Sequence, residues 1–190
     1  MAHPIIFDIE TQHTLREVGY DYRKLKISVV GLYDYATGTY FAYFEKDIPE
    51  LMLKIEHASM IIGFNINKFD LPVLSPYYLG DITQFSTLDI LERVEKSLGF
   101  RVALDDLARA TLGIKKTGHG LLAVDYFNNK EWDKLEKYCL DDVRITKEIY
   151  EYGMKNGKLM LNTNKGIREI PVTFKNPSNG KTAVSLSLPF

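Results

Sequence analysis

Two carboxylates lie one residue apart in the first apolar segment of the chain, as Asp8 and Glu10 in Ile6-Phe7-Asp8-Ile9-Glu10. Successive side chains of a β-strand point to opposite faces, so these two acids project from the same face. Two anions held that close repel each other unless a cation lies between them. The pair predicts a metal site or, about equally well, the solvated end of a strand.

A third acid, Asp70, ends the segment that begins at Gly63. It falls in the first turn of a short helix that Asn67 is predicted to cap. An acid in that position is stabilised by the helix dipole by about 0.3 to 1 kcal/mol without any function. Asn65 and Asn67 also suit turns or caps. Taken alone, this segment favours a structural role for Asp70.

The helix that contains Asp141 and Asp142 can be divided into faces by its residue spacing. One row is apolar apart from Asp142, and its other members are Leu135, Tyr138, Ile145 and Ile149. A second row is charged throughout and contains Lys137, Asp141, Arg144 and Glu148. A carboxylate on an apolar face is costly unless it is paired or metal-bound. We therefore predict that Asp142 belongs to the site and that Asp141 belongs to the solvated surface. Tyr138, one turn before Asp142, can reach the same point, with core packing as its alternative role.

Carboxylate oxygens are ligands for hard divalent cations such as Mg²⁺ or Mn²⁺. No zinc pattern competes, because the chain has one cysteine and its histidines lack the spacing of a zinc site. Two hard cations roughly 3.5 to 4 Å apart could activate a water and stabilise the leaving oxygen of a phosphodiester. The residues thus predict phosphoryl hydrolysis.

Taken together and in order, the three segments resemble the motifs of the DEDD exonuclease superfamily: Asp-x-Glu, Asn-x-x-x-Phe/Tyr-Asp and Tyr-x-x-x-Asp. Here they extend from Asp8 to Glu10, from Asn65 to Asp70 and from Tyr138 to Asp142. The second motif and the Tyr-Cys opening of the third are particularly similar to the proofreading exonuclease domain of family B DNA polymerases. The resemblance covers about residues 4 to 152, and no polymerase palm or fingers follow, so the chain looks like a free-standing relative. Lys137, where another branch of the superfamily has histidine, indicates the tyrosine branch.

The resemblance implies a ribonuclease H-like fold and two divalent cations, Mg²⁺ or Mn²⁺, as cofactors. By resemblance, Asp8 would bridge both cations, and Glu10 and Asp142 would complete one of them. Asp70 would serve the other through water, and Tyr138 would orient the attacking water. The implied activity is 3′ to 5′ exonuclease cleavage of single-stranded nucleic acid with a free 3′ end, DNA favoured over RNA.

Substrate contacts have weaker signals. Thr11 and Gln12 directly follow the first motif and could touch the terminal nucleotide, and Asn65 opens the second motif. Phe69 could stack on a base, as aromatic side chains do in single-strand binders, although core packing is the commoner role of phenylalanine. The densest basic and aromatic stretch, residues 20–26, suits a solvated surface better than a phosphate site.

Two other functions stay open at this point. One is a structure-specific endonuclease of the same fold, against which the tyrosine motif argues. The other is a catalytically silent module that binds nucleic acid or a protein. Retention of all four carboxylates disfavours a silent module, because such a module has no physical need for clustered acids. No residue identifies a contact to a 2′-hydroxyl, so DNA and RNA are not distinguished.

Composition sets limits on these functions. A net charge of −1 gives no general attraction to nucleic acid, so any binding must be local. The longest apolar stretch, Ile27 to Tyr33, is far shorter than the roughly 18 residues of a membrane span. Asp8 and Glu10 argue against a signal peptide. We therefore expect no membrane association and a cytoplasmic location, with which a single cysteine, Cys139, agrees.

The elements that must position these residues follow from periodicity and turn signals, which together predict an α/β fold. With the resemblance, this becomes a ribonuclease H-like mixed sheet flanked by helices. Strands are predicted at 4–10, 26–35, 39–45 and 60–64, the first three antiparallel in succession. Helices are predicted at 47–57, 88–98 and 104–112. A capping box of Asn128 and Glu131 is predicted to open a further helix, which runs to about Tyr152 before Gly153. Residues 115–129 are predicted to form a loop.

After the long helix, the pattern changes to strands separated by two hairpin-type turns, Asn164-Lys165-Gly166 and Asn179-Gly180. Apolar residues alternate with serines over 184–188, so one face of the last strand should pack on the rest of the protein. We predict an exonuclease domain over residues 1–153 and a small antiparallel β meander over 154–190 that packs on it.

Overall fold

The computed structural model describes residues 2–114 and 121–174. Its main sheet has five strands in the order β3-β2-β1-β4-β5. The first three are antiparallel neighbours, and β4 and β5 add in parallel on the other side of β1. The strands are β1 Ile5–Thr11, β2 Ile27–Asp34, β3 Thr39–Phe44, β4 Ile61–Gly63 and β5 Thr87–Asp89. The predicted mixed sheet, with three consecutive antiparallel strands, is confirmed.

Helices cover both faces of this sheet. In the described part of the chain they are α1 Ile48–His57, α2 Asp70–Leu74, α3 Ile90–Leu98, α4 Leu104–Leu112, α5 Leu121–Asn128 and α6 Trp132–Asn156. Single 3₁₀ turns occur at Tyr22–Lys24, Glu45–Asp47, Ser75–Tyr77 and Ile82–Gln84. Among these residues, no helix combines the length and the apolar character that crossing a bilayer requires.

Strand β1 separates two hydrophobic cores. Ile5, Phe7 and Ile9 pack with α1 and α2 on one face, whereas Ile6 packs with α3, α4 and α6 on the other. Because side chains alternate along a strand, Asp8 and Glu10 share the face of Ile6. The two acids of the first motif therefore point towards α6.

The predicted helix at 88–98 is wrong in part, and so is the predicted loop at 115–129, of which 115–120 lie outside the described residues. Thr87–Asp89 is strand β5, and α3 begins only at Ile90, capped by the Asp89 carboxylate. Residues Leu121–Asn128 form helix α5, whose apolar side chains pack against β2 and α6. Strand β5 has only three residues and is followed directly by helix α3, so the sequence pattern of the helix hides it. Helix α5 is stabilised by tertiary packing, which local periodicity does not report.

The ends of α6 also differ from the prediction. Asn128, the predicted cap, is instead the last residue of α5. Glu131 occupies the N-cap position of α6 without a side-chain cap bond, and its carboxylate accepts from Lys134. The helix continues through Gly153, the predicted stop, to Asn156. A Cβ at Gly153 would lie 2.2 Å from Cε2 of Phe174. The missing side chain at Gly153 therefore leaves room for Phe174 to pack against the helix. Gly153 does not end the helix.

Strands β6 Lys158–Thr163 and β7 Gly166–Pro171 form the antiparallel hairpin predicted after α6, with the turn at Asn164-Lys165. Leu159, Leu161 and Ile170 are buried in the same core as side chains of α4 and α6. The predicted second turn at Asn179-Gly180 and the alternating residues 184–188 lie outside the described residues.

Helix α6 packs directly against the sheet at Gly31 of β2. A Cβ at this position would lie 2.8 Å from Cγ2 of Val143 and 3.0 Å from Sγ of Cys139. Both are buried side chains of α6. The absence of a side chain at Gly31 therefore sets the distance between α6 and β2, which pairs with the strand that carries Asp8 and Glu10.

We predict that Gly31→Ala lowers the free energy of unfolding by about 1 to 3 kcal/mol, because the added methyl overpacks a buried contact. Urea unfolding measures this change. Adding Val143→Ala should cost less in the Gly31→Ala background than in the wild type, since it removes the clashing methyl. Strictly additive costs would contradict the proposed contact.

Candidate metal centre

Three carboxylates from two elements meet on the α6 side of the sheet. One oxygen from each of Asp8, Glu10 and Asp142 lies within 4.8 Å of the others. Asp8 and Glu10 are half-buried at the end of β1, and Asp142 is only 6 % exposed on α6. Three oxygen donors at this spacing suit a hard divalent cation, which also offsets their mutual repulsion. The donor set therefore fits the metal chemistry that the sequence predicts.

The face of α6 decides which of two neighbouring acids joins this group. Asp142 lies in the buried row with Leu135, Tyr138 and Ile145. The Asp141 side chain is 38 % exposed, and its Oδ1 lies 3.5 Å from Nε of Arg144. The predicted division of the helix into a buried and a solvated row is thus confirmed.

The thiol of Cys139 connects α6 to both strands beneath the carboxylates. Its Sγ accepts the Gly31 N–H at 3.0 Å and donates to the Asp8 carbonyl oxygen at 3.5 Å. Burial, together with the negative charges of Asp8, Glu10 and Asp142, raises the pKa of Cys139 well above its ordinary value. The neutral thiol is the form that can donate to Asp8. Sequence reasoning did not find this contact, because a single cysteine carries no spacing signal.

Asp70 contacts β1 near the end of that strand, on the edge that faces away from β2. Strand β4 stops at Gly63, and beyond it Oδ1 of Asp70 accepts the Ile9 N–H at 2.8 Å. Asp70 is therefore held beside Ile9, which lies between Asp8 and Glu10, although Asp70 does not belong to the group of three carboxylates. Burial raises the pKa of Asp70 to about 7, with a smaller contribution from the negative charge of Asp89, while hydrogen bonds from backbone amides oppose the shift.

The segment that leads to Asp70 is anchored on Asp89. The Asn65 and Asn67 N–H groups donate to the two oxygens of this buried carboxylate at 2.8 and 3.1 Å. Asn65 has a left-handed backbone, φ 69°, and its Oδ1 accepts from Arg101 at 2.6 Å. The predicted cap at Asn67 is wrong, because α2 begins at Asp70 and the Asn67 amide donates to Glu92. Asp89 is also the N-cap of α3, since its Oδ1 accepts the Leu91 N–H. The bonds that Asp89 accepts from the 65–67 segment depend on the tertiary fold, so the sequence alone does not predict them.

We predict that Asp89→Asn lowers the free energy of unfolding by about 1 to 3 kcal/mol, because one amide oxygen cannot replace two carboxylate oxygens for buried N–H donors. Chemical denaturation measures the loss. Asp81 is a matched control, since it caps an exposed 3₁₀ turn through the same kind of bond. Asp81→Asn should change stability by less than about 1 kcal/mol. Equal losses for the two variants would argue against the anchoring role.

Tyr138 lies one helical turn before Asp142 and is 8 % exposed. Its ring contacts Tyr126 of α5 at a centroid distance of 6.3 Å, and it shares a hydrophobic cluster with Val29 and Cys139. Packing thus holds the tyrosine in the same row of α6 as the carboxylate. This placement is compatible with the role in water orientation that the resemblance implies.

The residues near β1 that are predicted to contact substrate make contacts within the protein in this structure. The Thr11 hydroxyl donates to the His13 carbonyl, and the Gln12 amide donates to the Ile27 carbonyl and to Glu45. The half-buried Phe69 packs edge-on against Tyr22 at 5.7 Å. Contacts of Thr11, Gln12, Asn65 and Phe69 with substrate stay predictions.

Comparison with known proteins agrees with this fold and acidic cluster. The family model of the ribonuclease H superfamily matches residues 5–154, and the chain belongs to that superfamily. Among solved structures, the chain is similar to the family B DNA polymerase from the hyperthermophilic archaeon Pyrobaculum calidifontis, with a TM-score of 0.61 and 16 % identity. The match covers 81 % of this chain and 25 % of that polymerase. No curated protein matches the chain.

These findings confirm the ribonuclease H-like fold and, at the level of the fold, the resemblance to family B polymerases. The fold is of the nuclease type, and its acidic cluster can hold a divalent metal.

Proposed function

We propose that the protein is a metal-dependent 3′ to 5′ exonuclease that hydrolyses phosphodiester bonds at the 3′ end of single-stranded nucleic acid, with DNA preferred to RNA. The observation that carries the proposal is the group of Asp8, Glu10 and Asp142, whose oxygens lie within 4.8 Å of one another. Tyr138 lies one turn from Asp142 on the same buried row. The order and spacing of these residues are those of the tyrosine-type DEDD motifs.

Each residue has a distinct task in this proposal. Asp8, Glu10 and Asp142 would hold two divalent cations, Mg²⁺ or Mn²⁺, and Asp70 would add a further contact. When bound, these cations would supply an acidified water and stabilise the charge on the leaving oxygen. The Tyr138 hydroxyl orients the attacking water. Burial of Asp142 and Tyr138 keeps both side chains in fixed positions, as catalytic positioning requires.

The preference for single strands and for DNA has indirect support. A net charge of −1 offers no broad basic surface that would hold a duplex along its length. The matched region of the archaeal neighbour belongs to a DNA polymerase, and the second motif resembles proofreading domains, which act on a 3′ end. These arguments favour a DNA strand that enters the site by its end.

Digestion of 5′-labelled substrates tests the proposal. Wild-type protein with Mg²⁺ or Mn²⁺ should shorten a single strand stepwise from its 3′ end, act more slowly on blunt duplex, and be inhibited by a chelator. DNA should be degraded faster than RNA of the same sequence. Internal cuts without a ladder would instead indicate an endonuclease. Tight binding without any cleavage would indicate a silent binding module.

A further inference from the structure

Five aromatic side chains near the candidate site form two sets of ring contacts, one that includes Tyr138 and one that includes the exposed Trp132. The two sets pack on the same buried cluster. Tyr138 contacts Tyr126 of α5, and the next residue of that helix, Phe127, contacts Trp132 at a centroid distance of 5.6 Å. Trp132 also contacts Phe44 of β3 at 6.2 Å. We call these five residues the aromatic strip. It continues from the buried row of α6 to the first residue of that helix.

The outer end of the strip is open to solvent. Trp132 is 42 % exposed, whereas Tyr138 at the inner end is 8 % exposed. The rings of Phe44 and Phe127 stand at 87° and 73° to the indole plane. Neither contact is a parallel stack, so the indole is oriented by its neighbours without either ring lying flat on it. A fixed and half-exposed indole is well suited to stack on a flat partner.

The strip lies within reach of a strand held at the carboxylates. Glu10 pairs with Val29, and Val29 pairs with Phe44, so Phe44 lies on the same face about 10 Å from Glu10. Trp132 precedes Cys139 by seven residues, or about 10 Å along α6, and Cys139 contacts the Asp8 backbone. This distance corresponds to about three nucleotides at the ~3.4 Å spacing of a stacked strand.

Charge favours a path along α5 and disfavours the other flank of α6. Lys130 is exposed just before α6. Lys134 is also largely exposed, with its Nζ 5.8 Å from the centre of the Tyr126 ring and 2.7 Å from the Glu131 carboxylate, with which it pairs. The groove on the other flank is lined by three acids, Asp133, Glu136 and Asp141, together with Tyr40, Lys137 and Leu140. Phosphates would be repelled from that groove more than from the aromatic strip.

We propose that Trp132 is a stacking platform for a base of the single-stranded substrate, about three nucleotides from the scissile bond. The inference rests on the proposed function, which supplies the strand and its end. Stacking accepts any base, because every base has a π-face. Lys130 and Lys134 lie where they can contact phosphates on either side of the stacked base. The platform would hold the strand while successive terminal nucleotides are removed.

Intrinsic fluorescence tests the platform directly, because Trp132 is the only tryptophan of the chain. Asp142→Asn protein is titrated with a 5′-labelled single strand, and anisotropy of the label reports binding independently. Tryptophan emission should be quenched as the strand binds. An abasic strand of the same length, brought to saturation, should leave the emission unchanged. Saturating binding of the normal strand without quenching, or equal quenching by the abasic strand, would overturn the platform.

Steady-state kinetics provide the second arm. Trp132→Leu keeps apolar packing but loses stacking, so KM for a long single strand should rise about 5- to 100-fold with kcat unchanged. Trp132→Phe should restore most of the affinity. A dinucleotide, too short to reach Trp132, should be cleaved equally by all three proteins. Met154→Ala removes an exposed apolar side chain at the other end of α6 and should leave KM unchanged.

The two arms separate the platform from the function on which it rests. A wild-type KM for Trp132→Leu on long strands would refute the platform while leaving the exonuclease intact. Quenching by a bound strand, together with no cleavage of any strand by the wild-type protein, would refute the exonuclease and support the platform.

Discussion

Replacing Asp142 by asparagine should lower the rate of cleavage about 10³-fold or more and should remove most of the stabilisation by Mg²⁺ or Mn²⁺. Asp142 is the buried member of the three-carboxylate group and the only one supplied by α6. Asparagine keeps the size of the side chain but removes the negative charge that holds a cation. A metal site of this kind is worth several kcal/mol in the transition state, which corresponds to that loss in rate.

The stability readout distinguishes metal binding from chemistry. Only the folded protein assembles the three carboxylates, so a cation that binds them must raise the melting temperature. At a concentration of about 100 times Kd, the gain is about 2.7 kcal/mol, or about 5 to 10 °C for a chain of this size. The wild-type protein should show this rise with Mg²⁺ and lose it with a chelator. Asp142→Asn should show a much smaller rise.

Asp141→Asn is the matched control, since it makes the same chemical change one residue away. Asp141 lies on the exposed row beside Arg144, so its neutral variant should keep nearly full activity and the full metal-induced rise. An inactive Asp141 variant beside an active Asp142 variant would reverse the assignment. An unchanged metal response and wild-type cleavage in Asp142→Asn would remove Asp142 from the site.

Local periodicity was sufficient to predict this part of the site. Alternation along β1 placed Asp8 and Glu10 on one face, and the helical repeat placed Asp142 on the buried row and Asp141 on the solvated row. In each case, the element is long and strongly patterned, so the direction of a side chain follows from its position. The first three strands and the hairpin turn at Asn164 were predicted for the same reason.

The parts that sequence reasoning missed depend on contacts between distant segments. The bond from Ile9 to Asp70 joins residues 61 positions apart, and that from Gly31 to Cys139 joins residues 108 positions apart. Asp89 serves a segment more than twenty residues before it. Such bonds leave no periodic signal. Strand β5 is too short to show a strand period. Helix α5 is stabilised by packing against α6, and this tertiary contact gives no local signal that would distinguish α5 from a loop.

Tyr138→Phe should slow cleavage by on the order of 10² to 10⁴ while preserving the fold and most of the metal-induced stabilisation. A tyrosine hydroxyl can both donate a hydrogen bond to a water molecule and accept one from it, so it can fix the position of that water. The role that we assign to the hydroxyl is to hold the attacking water in line with the scissile phosphorus. Phenylalanine keeps the ring contact with Tyr126 and removes only the oxygen.

Single-turnover cleavage of a 5′-labelled single strand, run beside a Mg²⁺ melting titration, separates the possible roles of Tyr138. A loss of positioning lowers the single-turnover rate at saturating protein and leaves the melting response almost intact, because the three carboxylates remain in place.

Tyr126→Phe is a useful comparison, since Tyr126 contacts the same ring without belonging to the motif. Its rate should stay close to that of the wild type. If Tyr138→Phe cleaves as fast as the wild type, the tyrosine is a packing residue of the cluster that contains Cys139. If it also loses the response to Mg²⁺, its hydroxyl supports the carboxylates and does not act on the water.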